Sequence, residues 1–285
     1  MLLERVTPEG ELASYLCGTI ASRFGIAFPA NARGNRGKKA DQGETGLMSV
    51  SRTVYKISVF ICAVLIAASL SPTIRATSQQ TNWTLENVLK QLDTQAASFH
   101  SLTADLERTK VTVVVNDKST ESGQISVRSD DKMRIEVTQP DARTILRDGD
   151  NFYIYNPKIH RVEEYNLGKK KSVVDQFLLL GFGTSGSSLK ESYTITLQGE
   201  ETLDNRKVLL LELQPKTDEV RKQLSKIQLW LDESMWLPVQ QQFFETGSGD
   251  YFIIRYRNIN RNVRIPDNEF KPHWPHGTTK MQPQG

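Results

Sequence analysis

Between residues 132 and 157 the chain reads KMRIEVTQPDARTILRDGDNFYIYNP, and its apolar residues fall largely at every second position. Met133, Ile135 and Val137 alternate with Arg134, Glu136 and Thr138, which predicts a strand with one apolar face. Gln139-Pro140-Asp141 interrupts it, because proline has no N–H to give a ladder and presets a turn. Thr144-Ile145-Leu146 resumes the run, Asp148-Gly149 marks a hairpin, and Phe152-Tyr153-Ile154-Tyr155 returns before Asn156-Pro157 ends it.

Upstream, Thr84 precedes Leu85, Val88, Leu89, Leu92, Ala96 and Phe99, whose spacing of three and four predicts a capped amphipathic helix that His100-Ser101 breaks. Leu102, Ala104 and Leu106 then begin a long strand reaching Val115, Asn116-Asp117-Lys118 is a turn, and 124–128 returns with Ile125 and Val127 on one face. Residues 161–167 predict another strand. Ser172 and Asp175 form a variant capping box for a helix over 173–182, apolar nearly all round. Such a helix is normally buried. Lying between the Lys169-Lys170-Lys171 turn and a Gly/Ser-rich link at 183–188, it equally fits a lid over an apolar cavity. Strands resume over 193–197, 208–213, 227–231, 236–244 and 251–259, a short surface helix is expected within 216–224, and 263–275 is the last ordered segment expected. Ten to twelve consecutive strands with two helices predict an α+β fold built on an antiparallel sheet large enough to curl.

Before this body the pattern changes. Residues 1–47 show no periodicity and read as a disordered leader or an over-extended start; Met48 then opens a stretch with Arg52 and Lys56 ahead of a short apolar run at 57–70. That layout predicts a signal peptide over 48–76, the run being shorter than the roughly 20 residues of a spanning helix, with an uncleaved anchor as the other reading. Residues 77–285 are expected to form a single domain. Of 36 Lys/Arg and 33 Asp/Glu, nine and five lie in the first 76 residues, leaving 27 basic against 28 acidic side chains. A balanced body has no nucleic-acid footprint. Both cysteines, Cys17 and Cys62, also lie in the first part, so the body suits an oxidising compartment without needing a disulfide.

Catalytic chemistry is not indicated. His273-Trp-Pro-His276 carries a proline where a helical ligand pair would sit, and no cysteine or acidic cluster supplies further zinc ligands. No serine occupies a Gly-x-Ser-x-Gly elbow. Gly181-Phe-Gly183 with Gly186 follows a helix and precedes a strand, unlike a phosphate loop, and Asp130-Asp131 reads as a turn. No catalytic residue, metal or cofactor is predicted, and the chain does not read as an enzyme.

The order of these pieces, namely FHSLTA at 99–104, the 132–157 stretch with FYIYNP, FLLLGFG at 177–183 and YRNINRNVRIPDNEF near the end, resembles the periplasmic outer-membrane lipoprotein carrier (LolA) family over most of the body. The resemblance implies a strongly curved, incompletely closed antiparallel β-barrel whose concave apolar face is covered by helices. It further implies a periplasmic monomer that takes acylated lipoproteins from an inner-membrane lipoprotein-releasing ABC transporter and passes them to an outer-membrane acceptor. Carried over to this sequence, the acyl-chain cavity comprises Met133, Ile135 and Val137 on the inward strand, with Leu102, Leu106, Phe152 and Ile154 completing the lining. Phe177, Leu178 and Leu180 match the covering helix, and Leu89 and Leu92 the other part of the lid. Arg128 is the candidate lid latch. It stands one residue before the family's position, at Ser129, a shift that reverses a side chain in a strand of period two. A lipid- or lipoprotein-sensing module on the same half-barrel is the alternative.

Overall fold

The computed structural model describes residues 83–168 and 180–282. The expected leader, the signal segment, Lys169-Lys170-Lys171 and residues 173–179 of the expected covering helix lie outside the described residues. Helix α1 (Leu85–Ala97) begins as the sequence predicts, with the Asn87 N–H donating to Thr84 Oγ1 at 3.3 Å. Strands β1 (Ser101–Thr112), β2 (Asp117–Arg128), β3 (Lys132–Gln139), β4 (Arg143–Asp148), β5 (Asn151–Asn156) and β6 (Arg161–Asn166) form one antiparallel meander. Helix α2 (Gly186–Ser192) leads into a second meander of β7 (Tyr193–Leu203), β8 (Arg206–Pro215), β9 (Leu224–Asp232), β10 (Pro238–Glu245) and β11 (Tyr251–Arg261), with α3 (Asp218–Arg221) between β8 and β9.

β1 pairs with β11 and so joins the two meanders into one sheet. The last strand, β12 (Thr279–Met281), adds beside β6, giving the order β12-β6-β5-β4-β3-β2-β1-β11-β10-β9-β8-β7. The two outermost strands do not pair, so the sheet is an open, curved half-barrel. Register shifts at Thr103/Asp105, Ser122/Gly123 and Leu197/Gly199 place irregularities along it. Each such bulge sharpens the local twist and bends the strand.

Several details differ from the sequence expectation. β1 ends at Thr112, and 113–116 is turn, leaving Val113, Val114 and Val115 exposed. Residues 180 and 181 are a turn, not the end of a helix. The Gly/Ser stretch expected as a link instead holds α2, started by the Ser188 N–H donating to Ser185 Oγ at 3.1 Å. Serine favours both loops and helix N-caps, and here its capping role prevails. The chain also stays ordered past 275. Residues 263–274 cross the outer face of β3–β5 as a strap, with a 3₁₀ turn (Asp267–Phe270), and this crossover allows β12 to pair parallel with β6.

The registers show which residues share the inner face. One row runs Leu102–Val127–Met133–Arg147–Phe152–Tyr165 and the next Ala104–Ile125–Ile135–Ile145–Ile154–Glu163. Across the seam, Phe252–Phe243–Ile227–Leu213–Ile195 and Ile254–Gln241–Leu229–Leu211–Leu197 continue the face. Outside, Leu146 and Phe270 are fully buried beneath the strap with Ile265, and Val208, Leu210, Trp230 and Val239 form a smaller cluster. Among the described residues, no helix is long and apolar enough to cross a membrane.

Candidate functional site

The inner face carries two apolar clusters. In the first, Val88, Leu89 and Leu92 of α1 and Leu189 of α2 pack onto Leu209, Leu211, Leu213, Ile227, Leu229 and Leu231, closing over the β7–β10 side. α1 and α2 approach closely because Gly186 has no side chain: a Cβ there would lie 2.3 Å from the Leu89 carbonyl oxygen. Leu180 belongs to this cluster too, and its carbonyl accepts from Gln241 Nε2 at 2.6 Å.

The second cluster gathers Phe99, Leu102, Leu106, Ile125, Val127, Met133, Ile145, Phe152, Tyr165, Leu167, Phe182 and Tyr256 on the β1–β6 side. Ile135 and Ile154 pack at its border and remain half-buried. The expected cavity residues are therefore divided. Leu89, Leu92 and Leu180 join the first cluster. Leu102, Leu106, Met133 and Phe152 join the second, with Ile135 and Ile154 at its edge. Val137 lies on the same inner face, between Gly123 and Arg143. Phe177 and Leu178 lie outside the described residues.

The 180–185 segment is held at a joint between the clusters. Tyr256 Oη donates to Gln241 Oε1 at 2.9 Å, and the Phe182 ring meets Tyr256 edge-on at 4.9 Å. Burial raises the Tyr256 phenol well above its ordinary pKa, so it remains a donor. Gly183 lies under the Phe99 ring, where a Cβ would come within 2.4 Å of Phe99 Cδ1. A cavity of about 510 Å³ opens beside this joint, lined among others by Phe99, Val127, Leu180, Phe182, Leu189 and Tyr193.

Arg128 takes another route. Its guanidinium donates to Asp130, the Ile265 carbonyl and Asp267 and lies 5.2 Å from the centre of the Phe270 ring, so it ties down the outer strap. These bonds raise its pKa and lower that of Asp130 to about 2. The arginine that fastens α1 is Arg261 at the end of β11, which the sequence reading did not single out. Its Nη1 donates to Gln95 Oε1 at 2.6 Å and the Met235 carbonyl at 3.2 Å, and its Nη2 to the Gln95 carbonyl at 2.9 Å and Ser98 Oγ at 2.8 Å. Asn262 adds a bond from Nδ2 to the Ser98 carbonyl and accepts from the His100 N–H. Together they satisfy carbonyl groups left over at the end of the helix.

Arg147 was also missed. It is fully buried in the first inner row, its Nε donating to the Gly149 carbonyl and its Nη2 lying 3.5 Å from Asp131. Among the described residues no group of three or more His, Cys, Asp or Glu is arranged to hold a metal ion.

The fold and its inner face define a curved antiparallel half-barrel with an apolar interior partly covered by helices. A family model described only as an uncharacterized protein matches residues 129–265. An uncharacterized protein of Methanocaldococcus jannaschii is 26% identical over 204 residues; the match takes in 72% of this chain and 55% of that protein, so the chain spans about half the length of the curated relative it matches. Among solved structures the chain is similar to an uncharacterized conserved protein from Thermus thermophilus, with a TM-score of 0.47 and 8% identity, covering 69% of this chain and 98% of that one. It is also similar to a LolA superfamily protein from Nitrosomonas europaea, with a TM-score of 0.36 and 15% identity, covering 67% of this chain and 98% of that one.

Proposed function

We propose that the chain is an extracytoplasmic acyl-chain-binding protein that shields the lipid anchors of lipoproteins and carries them between the inner and outer membranes of the periplasm. The observation that carries this reading is the β1–β6 side of the inner face, where Ile135 and Ile154 border a large apolar cluster yet remain half-buried. Each methylene moved from water onto such a surface is worth about 0.8 kcal/mol, so an acyl chain has strong reason to lie there. Release needs a cover that moves; α1 packs Val88, Leu89 and Leu92 onto the β7–β10 side of the inner face and is fastened at its C-terminal end by the polar bonds of Arg261 and Asn262.

The test is extraction. The full chain, incubated with membrane vesicles containing an acylated lipoprotein, is expected to bring that lipoprotein into the soluble fraction while an unacylated version is ignored. Failure to extract by a folded chain would overturn the carrier role. A lipid-sensing or lipid-carrying module on the same half-barrel is the second reading. It predicts that free lipid, rather than lipoprotein, co-purifies.

A further inference from the structure

The hairpin of β1 and β2 projects from one end of the sheet. Its last pairing with β3 is Ser122 with Gln139, so residues 117–121 of β2 run on past that strand, roughly 16 Å at the usual rise. On the other side, β11 starts at Tyr251, opposite Val111. The turn beyond, 113–116, holds Val113, Val114 and Val115, which are 50%, 84% and 68% exposed.

Nothing in the turn itself asks for valine. Asn116, at a φ of 49°, closes it by donating its N–H to the Val113 carbonyl at 3.2 Å, and Asp250 Oδ1 accepts from the Val113 N–H at 2.9 Å. Turn positions ordinarily go to Gly, Asn, Asp, Ser or Pro, which suit the backbone there. A single exposed apolar residue needs no explanation, but three in a row at a projecting tip do.

The two ends of the sheet also differ in charge. The turns at the far end, 129–131, 149–150, 204–205 and 233–237, hold Asp130, Asp131, Asp150, Asp204 and Glu233 and no lysine or arginine. In the turns at the valine end, Lys158, Lys216, Arg221 and Lys222 offset Asp141, Asp218, Glu219 and Asp250. Ile159, 51% exposed in the β5–β6 turn, lies on this same rim. Of the large apolar side chains exposed among the described residues, all but Met281 therefore stand at the charge-balanced end. Consecutive side chains diverge from one another, so the three valines do not form one flat face. A fluid apolar phase meets all of them at once, whereas a shaped protein pocket would have to enclose the tip.

We propose that the β1–β2 tip is a membrane contact, in which Val113, Val114 and Val115 dip into the surface of a zwitterionic lipid bilayer. The acidic end then points to water, where its carboxylates keep their hydration. Three valines withdraw little area from water, which makes the contact brief and reversible. The tip is separate from the inner face, so the proposal goes beyond the acyl-binding reading and stands or falls without it.

The experiment puts an environment-sensitive fluorophore on the full chain carrying Cys17→Ser and Cys62→Ser, either at Val115→Cys or, at the far end, at Asn205→Cys. Each protein is titrated with phosphatidylcholine vesicles, with and without acyl-brominated lipid as a quencher. The Val115 label is expected to shift to the blue and to be quenched, while the Asn205 label stays in water. Val114→Asp, at a largely exposed position, should raise the lipid concentration needed for that shift at least about tenfold and leave the urea unfolding midpoint unchanged. Binding of an acyl probe should be the same with and without Val114→Asp, so loss of the tip contact and loss of acyl binding are told apart. No shift at Val115, an equal shift at both labels, or a shift indifferent to Val114→Asp would overturn the membrane contact. A shift at Val115 that appears on raising protein concentration without vesicles would overturn the bilayer in favour of a second copy of the chain.

Discussion

The two sides of the inner face have similar apolar rows and treat them differently. On the β7–β10 side, Leu209, Leu211, Leu213, Leu229 and Leu231 are fully buried because α1 and α2 lie across them. On the β2–β6 side, Ile125 and Ile145 of the isoleucine row are buried while Ile135 and Ile154 remain half-buried, and Arg143 and Arg147 stand on the same inner face opposite Val137 and Met133. An apolar inner face is therefore not by itself a binding surface. What separates lining from core is whether the protein's own helices have already taken the space.

The largest effect expected from this contrast is on stability. Leu229→Ala should cost about 2–5 kcal/mol in urea unfolding, as a fully buried leucine in a packed core does. Ile135→Ala should cost less than about 1.5 kcal/mol, because a half-buried side chain withdraws less area from water. Equal costs would mean that the two sides form one core. Binding should show the reverse order. Ile135→Asp is expected to weaken binding of an acyl probe far more than Arg134→Asp, since Arg134 lies on the outer face and donates to the Glu269 carbonyl at 3.2 Å.

A smaller, local effect should come from the fastening of α1. Arg261→Ala removes three hydrogen bonds to the helix end and one to the Met235 carbonyl, and amide exchange in α1 should accelerate by about tenfold or more while β8 and β9 keep their protection. Unchanged exchange in α1 would show that packing alone holds the cover in place.

The smallest effect concerns the outer strap and pH. Asp130 and Asp267 are both held below the ordinary aspartate value near 3.8 by their hydrogen bonds to Arg128, Asp130 at about 2. A lowered carboxylate pKa contributes stability above the unfolded value and loses it as pH falls through the folded one. Fluorescence of Trp274, which stacks on Tyr155 with ring centres 4.9 Å apart, should therefore change between about pH 4 and pH 2, ahead of unfolding of the sheet. Both carboxylates are well exposed, so added salt should shrink the effect. A strap signal that moves only with global unfolding would remove this separate role.

Alternation and turn residues identified most strands and the antiparallel sheet, and three-and-four spacing after Thr84 identified the capped helix, because these patterns act locally; the open barrel was implied by the family resemblance. β4 shows where that signal stops. In Arg143-Thr-Ile-Leu-Arg-Asp148, Ile145 and Leu146 are buried on opposite faces, one inward and one beneath the strap. Polarity along the strand then cannot tell inside from outside, and arginines that a pattern would send to solvent lie on the inner face. The same limit hid Arg261. Its partners, Gln95 and Ser98, lie over 160 residues away in sequence, and no local spacing encodes that meeting. Arg128 and Ser129 illustrate a one-residue difference with a large consequence, since a single step along β2 decides which face receives the guanidinium.

The seam between β1 and β11 also has a consequence for how the molecule assembles. Apart from β12 on β6, every other strand pairs with its neighbour in sequence, so each meander grows by closing one hairpin after another. The seam instead joins residues about 150 positions apart, such as Leu106 and Tyr256. Contacts so distant in sequence form slowly, which makes this the step expected to limit folding. Arg108 over Phe252 straddles it, and Tyr256, which holds the joint with Gln241, faces Leu106 across it. These inner-face contacts are thus assembled in the same late event that completes the sheet.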